Sequence, residues 1–251
     1  MFSLLLYSRP GDAGLLTARL WEAGTLGIVE RADGFQAFFE DDLRAPELLR
    51  AFAEYEPEWE AADDSDWIAK TQDSFPPLAI GERFFLVPPW SEARTPAGRL
   101  RLEINPGMAC GTGWHPSTQI CLEAMERHLK PGDSVLDVGA GSGILSVAAS
   151  LLGAARVTAC DIDPDAAAIA RSRTGAPVYV GSADAARSAS FDMVVANINA
   201  DVLAALLPEL ERVRRVRGRL ILAGFSEASG LARAPRSLEV LTRDGWACVV
   251  C

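Results

Sequence analysis

Apolar runs and amphipathic stretches alternate along the first sixty residues of the chain. Their spacing predicts four strands and two helices in the order β-α-β-β-α-β, namely Phe2–Ser8, Asp12–Ala23, Gly27–Arg31, Phe35–Glu40, Pro46–Tyr55 and Trp59–Ala62. Asp12 is a suitable N-cap for the first helix, and Asp33-Gly34 is a hairpin-turn signal between the two middle strands. This order is that of a small ferredoxin-like α+β domain, which we assign to residues 1–62.

Residues 63–98 have the pattern of a connector between this small domain and a larger one. The predicted elements of the connector and of the start of the larger domain are a short helix and two strands, Trp67–Asp73, Arg83–Val87 and Arg99–Ile104. Pro76-Pro77 ends the short helix. We therefore expect the larger domain to extend over residues 99–251.

From about residue 117, strands alternate with helices, which is the pattern of a doubly wound parallel sheet. The predicted strands are Ser134–Val138, Ala155–Cys160, Val178–Val180, Met193–Ala196, Arg219–Ala223, Leu238–Thr242 and Trp246–Val250. The predicted helices are Ser117–His128, Gly143–Leu152, Pro164–Arg173 and Asp201–Val216. Only Arg243-Asp244-Gly245 joins the last two strands, which implies an antiparallel edge pair. We expect an α/β, Rossmann-like sheet with an antiparallel edge strand.

Composition and charge narrow the class of protein. The 251 residues contain no uncharged apolar run long enough to span a membrane and no signal peptide, and the five cysteines are scattered, as in reduced cytosolic proteins. We therefore expect a soluble cytoplasmic protein. The formal charge of −10 lies in residues 1–66, which hold 15 acidic residues and 5 arginines. This asymmetry either favours a basic partner over nucleic acid or is a solvated acidic surface.

A glycine-rich loop follows the strand over Ser134–Val138 and begins the next helix. It reads Asp137-Val138-Gly139-Ala140-Gly141-Ser142-Gly143, and such a loop lets the backbone approach a ligand at a helix N-terminus. A dinucleotide fingerprint would have its third glycine at position 144, where this chain has Ile144. Asp137 suits a cationic amine better than a pyrophosphate. The loop thus favours an amino-acid-like ligand over NAD, and the alternative is a tight turn without a ligand.

An acidic turn, Cys160-Asp161-Ile162-Asp163-Pro164, ends the next strand. At this place in a doubly wound sheet a carboxylate accepts hydrogen bonds from ribose hydroxyls, and Asp161 is the first acidic residue after the strand. Asp163 precedes Pro164, so we expect it to cap the following helix. We predict that Asp161 binds a ribose.

With these motifs the chain resembles the class I methyltransferases that use S-adenosylmethionine, and in particular the bacterial methyltransferases of ribosomal protein L11. The resemblance covers nearly the whole chain. Beyond the loop and the acidic turn, it rests on the small N-terminal domain and on Asp66-Trp67, Pro88-Pro89-Trp90, Pro106–Thr118 and Val195-Ala196-Asn197-Ile198. The most specific part is Gly-Thr-Gly-Trp-His-Pro-Ser-Thr at residues 111–118.

The resemblance implies the cofactor S-adenosyl-L-methionine and no metal. Carried over residue by residue, it implies cofactor contacts by Thr112, Gly113, Thr118, Asp137, Gly139, Gly141, Gly143, Asp161, Ser182 and Asn197. Within this set Asp161 would hold the ribose, Asp137 would lie near the methionine amine, and the backbone around Ser182 would border the adenine.

Two residues are catalytic candidates. The side-chain oxygen of Asn197 would aim a neutral amine at the methyl group, and a plain helix cap is the alternative for this residue. His115 is a general base, a residue that positions the substrate loop, or a structural histidine.

The resemblance implies methyl transfer to lysine side chains or to the N-terminal amine of ribosomal protein L11, which the acidic N-terminal domain would recognise. We expect a monomer with no membrane contact and no direct DNA contact. Three alternatives stay open. They are a methyltransferase of another protein lysine or a small amine, a nicotinamide-dependent oxidoreductase, and a non-catalytic cofactor-binding module.

Several remaining features bear on the substrate or on other sites. Trp114 and Asn199 depart from the family pattern, which affects the substrate more than the cofactor. Cys248-x-x-Cys251 has half of a metal-site pattern without a second pair, so we interpret it as part of a terminal strand. A basic cluster consists of Arg212, Arg214, Arg215, Arg217 and Arg219. It belongs either to the C-terminal turn of a helix or to a contact with ribosomal RNA.

Overall fold

The computed structural model divides the chain into two compact units, Met1–Ser74 and Phe75–Cys251. It describes residues 2–7, 16, 19–20, 23–25, 27–31, 34–40, 44–61, 75–106, 111–230 and 237–251. The second unit includes residues 75–98, which the sequence analysis assigns to a connector. The division of the chain at residues 62 and 98 therefore stays a prediction about function rather than a description of these units.

The first unit is built on a four-stranded antiparallel sheet. Its strands are β1 (Phe2–Tyr7), β2 (Gly27–Arg31), β3 (Gly34–Phe39) and β4 (Glu58–Ala61), in the spatial order β2-β3-β1-β4. The helix α1 (Ala45–Ala51) and a 3₁₀ turn (Ala53–Tyr55) precede β4. This strand order is the one that the β-α-β-β-α-β pattern predicts, so the ferredoxin-like sheet is confirmed.

One face of this sheet forms the core of the first unit. Phe2 and Leu4 of β1 pack with Phe39 of β3, and Leu16 and Leu20 are buried in the same cluster. Most of the predicted helix over Asp12–Ala23, like the predicted helix over Trp67–Asp73, lies outside the described residues.

The second unit begins with a small three-stranded sheet. Its strands are β5 (Leu78–Ile80), β6 (Phe84–Val87) and β7 (Leu100–Glu103), in the order β5-β6-β7. β6 and β7 agree with the predicted strands, whereas the sequence pattern did not indicate β5. Glu126, on the first helix of the larger sheet domain, accepts hydrogen bonds from the backbone N–H groups of Glu82 (2.9 Å) and Arg83 (3.1 Å). The carboxylate thus fixes the turn between β5 and β6.

The larger part of this unit is a seven-stranded sheet with helices. The strands are β8 (Ser134–Val138), β9 (Arg156–Asp161), β10 (Val178–Val180), β11 (Phe191–Asn197), β12 (Arg214–Ser226), β13 (Glu239–Arg243) and β14 (Trp246–Val250). The helices are α2 (Pro116–His128), α3 (Ile144–Leu151), α4 (Pro164–Thr174) and α5 (Ala200–Val213). The spatial order of the strands is β10-β9-β8-β11-β12-β14-β13. All five residues of β8 are buried, as expected for a strand covered on both faces.

The pairing of the strands confirms a doubly wound sheet with an antiparallel pair near one edge. Strands β8 to β12 pair in parallel, while β14 is antiparallel to both of its neighbours. The antiparallel strand lies one place inside the edge, because β14 inserts between β12 and β13. Asp244 and Gly245 both have positive φ (49° and 78°), as the predicted tight turn requires.

The predicted end of α5 is wrong. The prediction extended this helix to Val216, but it ends at Val213 and β12 begins at Arg214. Arg214 pairs with Phe191 of β11, and Arg215 forms an ion pair with Asp192 at 2.7 Å. These contacts to a neighbouring strand outweigh the local helical pattern. Among the described helices, none combines the length and apolar character needed to cross a membrane.

Candidate active site

A cavity of about 700 Å³ lies at the carboxyl ends of the parallel strands. Its lining includes residues at the ends of β8, β9 and β11. The strand order reverses between β8 and β11, and such a reversal is the ligand-binding position of doubly wound sheets. Seven predicted site residues line the cavity: His115, Thr118, Gly139, Gly141, Asp161, Ser182 and Asn197. The fold therefore brings residues from five separate chain segments to one place.

The glycine-rich loop forms the floor of this cavity. Gly139, Gly141 and Gly143 all have positive φ, at 74°, 51° and 77°. A Cβ at position 139 would lie 2.5 Å from the Ile198 side chain, so only glycine fits there without a shift. Gly143 is the N-cap of α3 and packs against Ala170 of α4 instead of lining the cavity. Gly143 therefore contributes to the packing of α3 against α4.

Asp161 occupies the wall of the cavity next to the glycine loop. Its Oδ2 accepts a hydrogen bond from the Gly141 backbone N–H at 2.9 Å, and its Oδ1 accepts one from the Asp163 N–H at 3.0 Å. Asp163 in turn accepts from the Asp165 N–H at 2.9 Å and is the N-cap of α4, so its predicted capping role is confirmed. The carboxylate of Asp161 is held by backbone groups and faces the cavity.

Asp137 is buried behind the cavity lining. It is 1% exposed and is not among the residues that line the cavity. Its Oδ2 accepts a hydrogen bond from Ser146 Oγ at 2.6 Å, whereas its Oδ1 is buried and has no hydrogen-bond partner. Burial raises the pKa of Asp137 to about 6, against the lowering effect of the Ser146 hydrogen bonds.

The N-terminus of α2 forms the opposite wall. His115 is the N-cap, and its Nδ1 accepts from the Ser117 backbone N–H at 3.3 Å and lies 2.7 Å from Ser117 Oγ. The imidazole meets the indole of Trp246 edge to face, with ring centroids 4.5 Å apart. Thr118 Oγ1 accepts a hydrogen bond from Asn197 Nδ2 at 3.1 Å, which ties α2 to the end of β11.

Part of the most family-specific motif lies beside the cavity rather than in it. Gly111 lines the cavity, and its carbonyl oxygen accepts from Ser142 Oγ at 2.6 Å. Thr112 and Gly113 do not line it; a Cβ on Gly113 would lie 2.7 Å from Ile144. Residues 107–110, which precede this motif in the longer segment Pro106–Thr118, lie outside the described residues.

Sequence reasoning missed several residues of the cavity wall, among them Gly224 and Trp246. Gly224 has φ +96°, and a Cβ there would lie 2.4 Å from the carbonyl oxygen of Ile198. Trp246 reaches the cavity because β14 runs antiparallel, so that its first residue lies at the edge where the parallel strands end. Gly224, which lies near the end of β12, is the one residue in the local sequence that could have indicated this wall.

The other sequence motifs lie in structural environments. Cys248 is buried in the core, and no group of three or more His, Cys, Asp or Glu side chains in the described ranges is arranged to hold a metal ion. Three arginines of the basic cluster make intramolecular contacts: Arg212 with Glu209, Arg214 with Glu211 and Arg215 with Asp192. Arg217 is exposed.

The fold and the site together define the class of this protein. A mixed seven-stranded sheet with β14 inserted antiparallel, a glycine loop after β8 and a carboxylate at the end of β9 are the features of a class I methyltransferase.

Comparison with known proteins then identifies the family. Residues 24–250 match the family model described as ribosomal protein L11 methyltransferase (PrmA). The chain belongs to this family, whose members are S-adenosylmethionine-dependent methyltransferases.

Individual relatives agree with this assignment. The ribosomal protein L11 methyltransferases of Cupriavidus necator and Ralstonia pickettii are 40% and 41% identical to the chain over 198 and 196 residues. These alignments cover 75% and 74% of the chain but 66% and 65% of the two relatives, so the chain spans slightly less than two thirds of their length. A crystal structure of a ribosomal protein L11 methylase from Lactobacillus delbrueckii subsp. bulgaricus has 26% identity and a TM-score of 0.63. The alignment with this structure covers 69% of the present chain and 96% of the Lactobacillus chain.

Proposed function

We propose that this protein transfers methyl groups from S-adenosyl-L-methionine to amines of ribosomal protein L11, on lysine side chains or the N-terminus. Family membership supports the overall reaction. One contact carries the assignment of the amine site. Asn197 Nδ2 donates to Thr118 Oγ1, while Asn197 Oδ1 accepts no hydrogen bond from the described residues and is left for an amine in the cavity.

The residues of the cavity fit S-adenosylmethionine. A volume of about 700 Å³ is within the range of ordinary cofactor sites. Its ionisable lining includes Asp161 and Asp163, and the buried Asp137 behind the glycine loop has an unpartnered oxygen. This excess of carboxylates suits a cationic ligand. The apolar side chains of Ile162 and Ile169 line the cavity and can pack against a base.

Several predicted contacts that line the cavity then have roles that their positions support. Asp161 would accept hydrogen bonds from the ribose hydroxyls, and the backbone of Gly139 and Gly141 would lie along the methionyl part. The backbone at Ser182 would border the adenine. When bound, S-adenosylmethionine supplies a methyl group on a sulfonium, which a neutral amine accepts by in-line displacement.

The substrate amine has to be neutral before it can react. A lysine with a pKa near 10.4 loses its proton at pH 7 at a cost of about 4–5 kcal/mol, and desolvation lowers this cost. Ile198, Val202 and Leu206 supply apolar lining for this purpose. Asn197 Oδ1 accepts an N–H of the amine and so orients its lone pair. The proposed role of Asn197 is therefore to align the amine and not to remove its proton.

His115 is proposed as a positioning residue. Its Nδ1 accepts the Ser117 N–H, so in the neutral ring the proton is on Nε2, which can donate but not accept. The ring lies against Trp246 at the cavity wall. His115 therefore holds the N-terminus of α2, and with it Thr118, against the amine site.

Residues 1–62 are proposed to recognise the substrate, residues 63–98 to connect, and residues 99–251 to bind the cofactor. The concentration of acidic residues in the first 66 positions supports this, because a ribosomal protein that binds RNA is basic. The enzyme would act as a monomer in the cytoplasm, where its substrate is made. Because salt screens the attraction between the acidic residues and a basic substrate, KM for L11 should rise with ionic strength, while Kd for the cofactor should change little.

The decisive experiment is methylation of unmethylated L11 with methyl-labelled S-adenosylmethionine, followed by mass identification of the labelled residues. The wild-type protein should label L11, and Asn197→Ala should lose most of the label while still binding the cofactor. Arg217→Ala, at an exposed position outside the cavity, is the matched control and should label L11 normally. Cofactor binding without label on L11 would contradict the substrate assignment, and label that persists in Asn197→Ala would contradict the amine site.

A further inference from the structure

Gln119 lies in the first turn of α2, at the centre of a hydrogen-bonded network beside the cavity. Its Nε2 donates to the backbone carbonyl oxygen of Trp114 at 2.7 Å, and its Oε1 accepts from Arg243 Nη1 at 2.8 Å. A carbonyl group only accepts and a guanidinium only donates, so these two partners fix the orientation of the Gln119 amide. Both ends of the amide are therefore used, and both partners lie outside α2.

Arg243 connects this network to the start of β14. It is the last residue of β13 and pairs directly with Trp246, the first residue of β14. Its Nη2 also donates to Oε1 of Glu123 at 2.9 Å, and Glu123 lies about one turn beyond Gln119 on α2. The planar guanidinium thus bonds to α2 at two points, which fixes both its distance and its angle.

Trp114 connects the same network to His115. The carbonyl that accepts from Gln119 belongs to the peptide group between Trp114 and His115, so this bond fixes the peptide that leads into α2. The indole of Trp114 is held as well. Its Nε1 donates to the carbonyl oxygen of Pro76 at 2.8 Å, and its ring meets Phe75 edge to face with centroids 5.1 Å apart. Trp114 is thus held at its backbone and at its ring, although it does not line the cavity.

The two rings that meet at the cavity wall, His115 and Trp246, belong to separate segments of the chain. His115 is the N-cap of α2, Trp246 begins β14, and both line the cavity. An edge-to-face contact between two rings is weak by itself, so their spacing depends on what holds the two segments. We propose that Gln119 is a positioning residue, which holds the His115–Trp246 wall of the amine site in place through its two hydrogen bonds. This inference rests on the proposed function.

The expected effect of this wall is on the rate of methyl transfer. In-line displacement needs the amine in one place and at one angle, so a loosened wall should lower kcat for L11 by about 5- to 100-fold. Gln119 does not line the cavity itself. A contribution that is felt mainly in the transition state lowers kcat without raising KM, so KM for L11 and Kd for the cofactor should change by less than about threefold.

Two substitutions distinguish the two hydrogen bonds. Gln119→Met has a similar length and makes neither bond, so kcat should fall over the full range. Gln119→Glu still accepts from Arg243, now as an ion pair, but has no N–H for the Trp114 carbonyl. The ion pair offsets the lost bond, so the unfolding free energy in urea should stay close to that of wild type, while kcat should still fall by about 5- to 30-fold. If Gln119 served stability alone, a variant of normal stability would keep its activity.

The position of the wall can also be measured without any ligand. Each of the six tryptophans gives one indole N–H signal in a proton–nitrogen NMR spectrum, and Trp246→Phe identifies the signal of Trp246. The His115 ring lies against that indole, so a change in the contact between the two rings shifts the signal. In Gln119→Met we expect the Trp246 signal to move, although the amide of Gln119 is bonded to neither ring.

Arg127→Gln is the matched control. Arg127 lies in the last turn of α2 and forms an ion pair with Glu239 of β13, so this variant also loses a contact between α2 and β13. The lost contact is at the end of β13 away from Arg243. The control should therefore have the kcat and the Trp246 signal of wild type.

The outcomes separate this inference from the proposed function. Wild-type kcat in Gln119→Met or in Gln119→Glu would overturn the inference while the proposed function stands. A Trp246 signal that stays in place in Gln119→Met, or that moves equally in Arg127→Gln, would also overturn it. If the wild-type protein does not methylate L11, the proposed function fails, and this inference about its amine site fails with it.

Discussion

The carboxylate of Asp161 accepts a hydrogen bond from the backbone N–H of Gly141 at 2.9 Å. The acidic residue at the end of β9 therefore holds the middle glycine of the loop after β8. The proposed ribose site and the shape of the glycine loop are thus not independent, because one side chain serves both. A substitution at this position changes the ligand contact and the cavity floor together.

Asp161→Ala is expected to weaken S-adenosylmethionine binding by about 10- to 100-fold, since a hydrogen bond to a charged group contributes about 1.5–3 kcal/mol. Titration calorimetry measures this as an increase in Kd. Asp201→Asn is the control, because Asp201 is exposed in the first turn of α5 and does not line the cavity. In this variant Kd should change by less than about threefold. Equal effects of the two substitutions would argue against a specific role for Asp161.

Thr118→Val is expected to reduce methylation of L11 with little change in the affinity for the cofactor. It removes the acceptor of Asn197 Nδ2, and the unsatisfied amide then costs about 1–3 kcal/mol or reorients, so kcat should fall by about 5- to 100-fold. Thr118→Ser keeps the hydroxyl and should retain most of the activity. If the valine variant is as active as wild type, the orientation of Asn197 does not limit the reaction.

Gly224→Ala tests the wall of the cavity that the sequence did not reveal. Gly224 has φ +96°, and a Cβ would lie 2.4 Å from the backbone oxygen of Ile198. Gly132→Ala is the matched control, because Gly132 has φ +94° but nothing within 4 Å of its Cβ position. The control should lose about 1–2 kcal/mol of unfolding free energy from strain alone. Gly224→Ala should lose about 1–3 kcal/mol more, measured by urea unfolding. Equal losses would mean that the Ile198 segment moves away freely.

Asp192 gives a prediction about stability and pH. Burial tends to raise the pKa of Asp192, but hydrogen bonds from the Ser134 N–H and Oγ and the ion pair with Arg215 outweigh it and hold the pKa at about 2. Because the folded-state pKa is below the ordinary 3.8, this contribution is present in full above about pH 4 and is lost as pH falls towards 2. Asp192→Asn should lower the unfolding free energy at pH 7 by about 2 kcal/mol.

The matched control for this prediction is Asp244→Asn. Asp244 is exposed and has φ 49°, a conformation that asparagine also adopts. This control should leave stability unchanged at pH 7. The difference between Asp192→Asn and wild type should shrink between pH 4 and pH 2, and a difference that stays constant over that range would contradict the assigned ion pair.

The local pattern was sufficient for strands whose apolar run has clear limits in the sequence. The predicted ranges of β8, β10 and β14 coincide with the observed strands, because their apolar runs are bounded by turn residues. The sequence pattern does not predict β5 (Leu78–Ile80), because three residues are too few to show the alternation of a strand. The end of α5 was wrong for a related reason: Arg214 and Arg215 make their contacts with β11, which no local pattern encodes.

The candidate site likewise contains residues that the local sequence predicts and residues that it does not. The loop glycines and Asp161 were predictable, because the strand before each of them ends at a known edge of the sheet. Trp246 and Gly224 line the cavity only because β14 inserts beside β12, a long-range pairing. Asp137 is expected near the methionine amine, and it is 1% exposed, directly behind the cavity lining. Its role toward the cofactor stays a prediction.

The insertion of β14 between β12 and β13 also sets an order of folding during synthesis. β13 leaves the ribosome before β14 but pairs with β14 alone among the described strands, so it has no place in the sheet until Trp246–Val250 has emerged. Until then β12 presents an open edge, and one wall of the cavity does not exist. The nascent chain thus cannot acquire a complete binding site before β14 has been made, and β14 is the strand that closes both the sheet and the site.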